Sequence, residues 1–143
     1  MQQLDVPNVE SGPRVIARRV YTTGIWLLLA SIIIQFFLAG LGVLASWGFF
    51  WWHVNVNGAV VGLLPLLLLA VGWYGRVPRN TLLLTAAVFG LVVLQSVLLI
   101  PYRSGATGLL RAVSGLHVVN ALAIFWVGLR LLERAEALRR ATL

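Results

Sequence analysis

Four apolar runs, at about 19–43, 49–74, 81–100 and 109–133, take up most of the chain and are separated only by short connections. At a rise of 1.5 Å per residue, roughly 20 apolar residues cross a hydrocarbon layer about 30 Å thick, so each run is long enough to span a bilayer as a helix. A soluble fold has no way to hide so much apolar surface. Of the 143 residues, 60% are hydrophobic and only 10% are charged, against about a quarter charged in soluble domains. The expected class is all-α: an integral membrane antiparallel four-helix bundle, up-down-up-down. Residues 19–134 form its transmembrane domain, with residues 1–18 and 135–143 as tails. This leaves no room for a separate soluble catalytic domain. The first run is too long for a signal-peptide core and no A-x-A pattern follows it, so it is read as a retained span. Pro65 is expected to bend the second helix, and Pro101 to stop the third.

The net charge of +7 comes from eleven arginines and no lysine. They lie at the ends of the apolar runs, which makes them topology signals and leaves no reason to invoke nucleic acid. Residues Arg14, Arg18, Arg19, Arg76, Arg79, Arg130, Arg134, Arg139 and Arg140 fall at one end, and only Arg103 and Arg111 at the other. The positive-inside rule then places both termini in the cytoplasm. Trp47, Trp51, Trp52 and Tyr102 gather at the opposite, outer boundary, and Trp73 and Tyr74 mark the inner one. The lipid bilayer is the surrounding partner.

The polar residues inside the spans carry the chemistry, because polar groups in lipid are costly, face the bundle interior and mark sites. Gln35 lies ~12 Å from the outer end of the first helix; Gln95 is close to the outer end of the third. His53 and His117 follow soon after the second and fourth helices begin, with Asn55, Asn57 and Asn120 just beyond them. All fall in the outer half. The inner half is expected to be plain apolar packing, with Thr81 and Thr85 its chief polar residues. Each helix pair therefore reads as a buried glutamine, a short outer turn and a histidine. After the histidines come His53-x-x-x-Asn57-Gly58 and His117-x-x-Asn120-Ala121, so the chain also reads as a duplicated helical hairpin.

In an up-down bundle the second and fourth helices lie on a diagonal, so His53 and His117 can meet across the interior at similar depth. Two such imidazoles can supply both axial ligands of one b-type haem. No other residue type here can do so: cysteine is absent and Met1 is the only methionine. Without cysteine there are also no disulfides, iron–sulfur clusters or thiolate zinc sites. No carboxylate lies within a span, which disfavours a four-coordinate zinc site. Arg103 and Arg111 are the candidate partners of haem propionates. Gln35, Gln95, Asn57 and Asn120 either border the cofactor or tie helices together. Gly40, Gly42, Gly58 and Gly62 allow a planar group or another helix to approach the backbone, the last two as a GxxxG pair.

The segments Gln35-Phe36-Phe37-Leu38-Ala39-Gly40-Leu41-Gly42, Trp52-His53 and Leu116-His117-Val118-Val119-Asn120-Ala121 resemble a small uncharacterised family of bacterial four-span membrane proteins. That resemblance covers about 20–132 and implies the fold, the topology and a place in the bacterial cytoplasmic membrane, but no activity. More distantly, the chain is similar to one half of haem A synthase, whose four-helix halves carry a glutamine and glycines in the odd helix and a histidine in each even helix. This implies a b-type haem held by His53 and His117 near the outer face. No glutamate precedes either histidine by one helical turn, so the likeness extends to the cofactor-holding half and not to haem A synthesis.

The expected function is electron transfer by a bis-histidine haem between a quinol or membrane enzyme and an acceptor on the outer side. It is the function of a carrier or accessory subunit more than of a stand-alone enzyme. Two alternatives stand beside it. One is a non-catalytic subunit or scaffold of a larger membrane complex, whose polar residues serve packing. The other is a quinone or lipid pocket without metal.

Overall fold

A computed structural model of the chain describes residues 12–141. Four long helices cross the molecule: α1 (Gly12–Leu44), α2 (Phe49–Tyr74), α3 (Arg79–Arg103) and α4 (Gly108–Arg140). Each is long and apolar enough to span a membrane, and the described residues contain no strand. Connections of only a few residues force neighbours to run antiparallel. The helices pack in the order α1–α2–α3–α4 around the bundle, and α4 closes it against α1. The expected diagonal of α2 and α4 is therefore present. Large apolar side chains such as Leu27, Phe37, Leu67, Leu83 and Leu122 are exposed, a surface suited to lipid. The chain is a multi-pass membrane protein of the four-helix-bundle class.

The helix ends differ from the sequence expectation in ways that follow from backbone chemistry. Helix α1 is already formed at Gly12, the first described residue. Residues 12–18 of the expected tail are therefore helical; 1–11 and 142–143 lie outside the described residues. Helix α4 runs on through the expected tail to Arg140, with exposed Arg130–Glu133 and Glu136–Arg139 pairs along it. Pro101 does not end α3. The regular helix stops at Val97, and Pro101 sits in the first turn of a further short segment, Ile100–Arg103. In α2, a π-helical stretch from Asn57 to Gly62 precedes Pro65, which then occupies the start of the α-helical part Leu64–Tyr74. A wider turn is one way for a spanning helix to absorb the bond and the space that proline denies it.

The core runs along one part of the bundle and stops short of the other. Tyr21, Ile25, Leu28 and Ile32 of α1 pack with Val61 and Leu68 of α2, Val88 and Val92 of α3, and Ile124, Leu131 and Ala135 of α4. Between lipid-soluble helices, close packing and interhelical hydrogen bonds supply the association energy, since burial from lipid gives little. The end holding the chain termini uses both. Tyr21, completely buried, is within 2.6 Å of Thr85 Oγ1 across the α1–α3 diagonal. Thr85 Oγ1 also lies 3.1 Å from the carbonyl of Thr81. Thr22 donates to the Ala135 carbonyl (3.2 Å), and Arg18 Nε to the Gly75 carbonyl (2.8 Å). This half is thus not the plain apolar bundle expected: a buried tyrosine joins the threonines. Beyond Ile32, Val61 and Ile124 the core gives way to a cavity.

Candidate functional site

The cavity lies toward the α1–α2 and α3–α4 connections, and its shape follows from two breaks in helical regularity. Asn57–Gly62 widens α2 one turn beyond His53, and the regular part of α3 ends two residues beyond Gln95. Two clefts result. The first, bordered by Ile32, Phe36 and Ala39 of α1 and Val118, Ala121 and Ile124 of α4, encloses about 670 Å³ free of protein atoms, including its open mouth. The second, between α2 and α3, has Val54, Gly58, Ser96, Leu99 and Arg103 on its walls and encloses about 530 Å³ on the same basis. His53, Asn57, Gln95 and His117 border both, so the two clefts meet at the histidine pair.

Each histidine is held by the glutamine of its own hairpin. His53 Nδ1 stands 3.1 Å from the backbone carbonyl of Gln35, and His117 Nδ1 stands 3.0 Å from that of Gln95. A carbonyl only accepts, so in the neutral His117 ring Nδ1–H donates and Nε2 keeps the lone pair. The Gln95 carbonyl is open to this contact because the helix is ending: the Leu99 amide bonds the Ser96 carbonyl instead (3.3 Å). The Gln35 contact is made in mid-helix, to a carbonyl with a second lone pair. Nε2 has no hydrogen-bonding partner in either ring among the described residues, and neither Nε2 is sealed from the clefts.

The side-chain amides repeat the pattern one turn deeper. With its amide oriented to match its neighbours, Gln35 donates to the His53 carbonyl (2.9 Å) and accepts from the Asn57 amide (2.9 Å). The same amide nitrogen also donates toward His53 Nδ1 (2.8 Å), so that ring nitrogen faces both a donor and the Gln35 backbone carbonyl, and neither contact alone fixes its tautomer. In the second hairpin, Asn120 Nδ2 donates to Gln95 Oε1 (2.5 Å) and to the Leu91 carbonyl (2.8 Å). Gln35, Gln95 and Asn120 are all buried. Each clasp thus ties a glutamine on an odd helix to a histidine and to a group one turn beyond it on the even helix. The glutamine–histidine contact recurs in both hairpins, but one turn deeper the first uses the Asn57 backbone amide and the second the Asn120 side chain.

The remaining expected residues divide. Arg103 is on the wall of the α2–α3 cleft. Arg111 borders neither cleft and stacks over the Tyr102 ring, 5.2 Å from its centroid. Asn55 turns away and bonds the Trp51 carbonyl. Of the four glycines, Gly40 and Gly58 face open space and Gly58 borders a cleft, whereas Gly42 lies flat against the Phe50 ring. The Gly58–Gly62 pair packs no other helix among the described residues: a Cβ at Gly62 would meet only the Asn57 carbonyl, 3.4 Å away. Sequence reading missed Ser96, Phe36 and Phe50, the last of which sets its ring edge-to-face on His53. No pattern distinguishes these phenylalanines from the lipid-facing ones.

Groups of three or more histidines, cysteines or carboxylates able to hold a metal ion are absent among the described residues. The metal chemistry open to the site is therefore that of two imidazoles. No curated protein and no solved structure matches the chain, so neither comparison carries the likeness to haem A synthase. The likeness found is to a family of unknown function (DUF6220), matched over residues 35–102, a stretch that takes in Gln35, His53, Asn57 and Gln95 and ends before His117.

Proposed function

We propose that the chain is a membrane b-type haem protein in which His53 and His117 are the two axial ligands, and that it transfers electrons within the membrane. One observation carries this reading: two histidines on diagonal helices, each with Nδ1 at a backbone carbonyl and Nε2 unpartnered, bordering the same pair of clefts. A hydrogen bond from the non-ligating nitrogen to a carbonyl is the usual support of a metal-bound imidazole, since it sets the tautomer, holds the ring and raises its basicity. The donor set fits a haem, which needs two ligands from the protein, better than a bare ion that needs four. When bound, the haem supplies one-electron chemistry, and two strong protein ligands leave no open position for oxygen. Gln95 and Asn120 hold the His117 helix in register, and Gln35 does the same for His53. A quinol or a membrane enzyme is the electron donor in this reading.

The test is an absorption spectrum of the protein purified from haem-replete cells. A Soret band that shifts on reduction, with sharp α and β bands, is expected, and it should vanish in the double variant H53A/H117A. A colourless wild-type preparation sinks the haem and leaves the scaffold or the quinone pocket.

The same reading places both termini in the cytoplasm of a bacterial cell and the histidines toward the outer face, on the strength of the nine-to-two division of arginines between the two ends. Fusions at the C-terminus check it. A fluorescent protein should be bright there and alkaline phosphatase inactive; the reverse pair of results inverts the topology.

A further inference from the structure

The two clefts that meet at the histidines differ in chemistry. The α1–α4 side offers Ile32, Phe36, Ala39, Val118, Ala121 and Ile124. The α2–α3 side offers Ser96 and, at its edge, Arg103. A planar group lying between the histidines and reaching into both clefts would have an apolar environment along one edge and a cation along the other.

Arg103 is held at that edge by local structure. It closes the short turn Ile100–Arg103, and its amide bonds the Leu99 carbonyl at 3.0 Å. The Tyr102 amide donates to Ser114 Oγ on α4 (3.2 Å), which pins the turn to the neighbouring helix. Among the described residues no carboxylate pairs with Arg103. The chain has only four acids: Asp5 and Glu10 precede the described residues, and Glu133 and Glu136 lie near the end of the last helix, each of those two paired with an arginine there. This end of the bundle also carries just two arginines, where topology favours none. Arg111 is engaged with Tyr102. That leaves Arg103 facing the cleft.

Resting on the haem reading above, we propose that Arg103 fixes the orientation of the group by pairing with its carboxylates, so that the propionate edge lies in the α2–α3 cleft and the apolar edge in the α1–α4 cleft, while Arg111 has no part in binding. A planar guanidinium suits this task, since it offers a carboxylate two parallel N–H donors.

The experiment uses the full chain, purified in detergent from cells that make no haem and titrated with haem or with haem dimethyl ester, whose propionates are blocked. Wild type should bind haem more tightly than the diester by roughly tenfold or more, the scale of a charge-assisted hydrogen bond. In R103Q that preference should fall to near unity; R103K should keep part of it and R111Q all of it, each variant first shown to retain wild-type helix content. A preference that survives in R103Q, or that is lost in R111Q, overturns the assignment. Equal binding of the two compounds by wild type overturns it while leaving the haem reading intact. Binding of neither ends the haem reading itself.

Discussion

Reduced wild-type protein is expected not to bind carbon monoxide, and His117→Ala or His53→Ala to bind it stoichiometrically. Both expectations come from the count of ligands. Two imidazole ligands would leave the iron no free position. Both histidines border the clefts, so replacing one by alanine would free a position and leave space beside it for a small ligand. The vacated space is that of an imidazole, and added imidazole should enter it, restore the six-coordinate spectrum and displace carbon monoxide. Equivalent behaviour of the two variants is the sharper part of the prediction. The two hairpins support their histidines alike, by a backbone carbonyl 3.1 Å from one Nδ1 and 3.0 Å from the other. If one variant kept the wild-type spectrum, that histidine would be a packing residue and the pair would be wrongly drawn. Asn55→Ala is the matching control, since Asn55 is exposed and bonded to its own helix.

The spans were readable in the sequence because bilayer thickness fixes how many apolar residues a helix needs, and apart from the π-helical stretch in α2 the helices differ from the expected ones chiefly at their ends. The candidate site was readable for a related reason: in a chain this apolar, Gln35, His53, Gln95, His117 and Asn120 stand out, and lipid drives each of them inward. What was not readable is direction. Nothing in the sequence separates Arg103, which borders a cleft, from Arg111, which stacks on Tyr102. Nor could it tell that the glutamines grip the histidines through backbone carbonyls as well as side chains, since a carbonyl has no letter of its own. The π-helical stretch was only half foreseen: Pro65 announces a disturbance, but the neighbours decide whether it becomes a kink or a wider turn. Tyr21 was passed over because a tyrosine near a helix end usually marks the membrane interface. Here it is completely buried and bonded to Thr85.

Gly72→Ala is expected to destabilise the bundle by ~1–3 kcal/mol, and Gly72→Val by more, read as a lower midpoint in denaturant titrations of the detergent-solubilised protein. A Cβ at this position would come within 2.7 Å of Leu82 Cδ2 and 2.9 Å of Tyr21 Cε2. Leu82 is only partly buried and can turn aside. Tyr21 cannot follow it: its ring is enclosed on all sides and its hydroxyl is 2.6 Å from Thr85 on the diagonal helix. The ring has to give up either its packing against α2 or its bond to α3, and in lipid those are the two kinds of contact that hold helices together. Gly90→Ala supplies the comparison on α3, where no heavy atom lies within 4 Å of the added carbon and an exposed helical position tolerates alanine well. Combining Gly72→Ala with Tyr21→Phe separates the two losses. If the clash acts through the hydroxyl bond, the pair of changes should cost less than the sum of the singles, because the second has no bond left to break. Additive costs would instead put the damage in the packing of the ring alone. Either way the loss falls at the end of the bundle that holds the chain termini, away from the clefts, so stability should drop with little change in the geometry around His53 and His117.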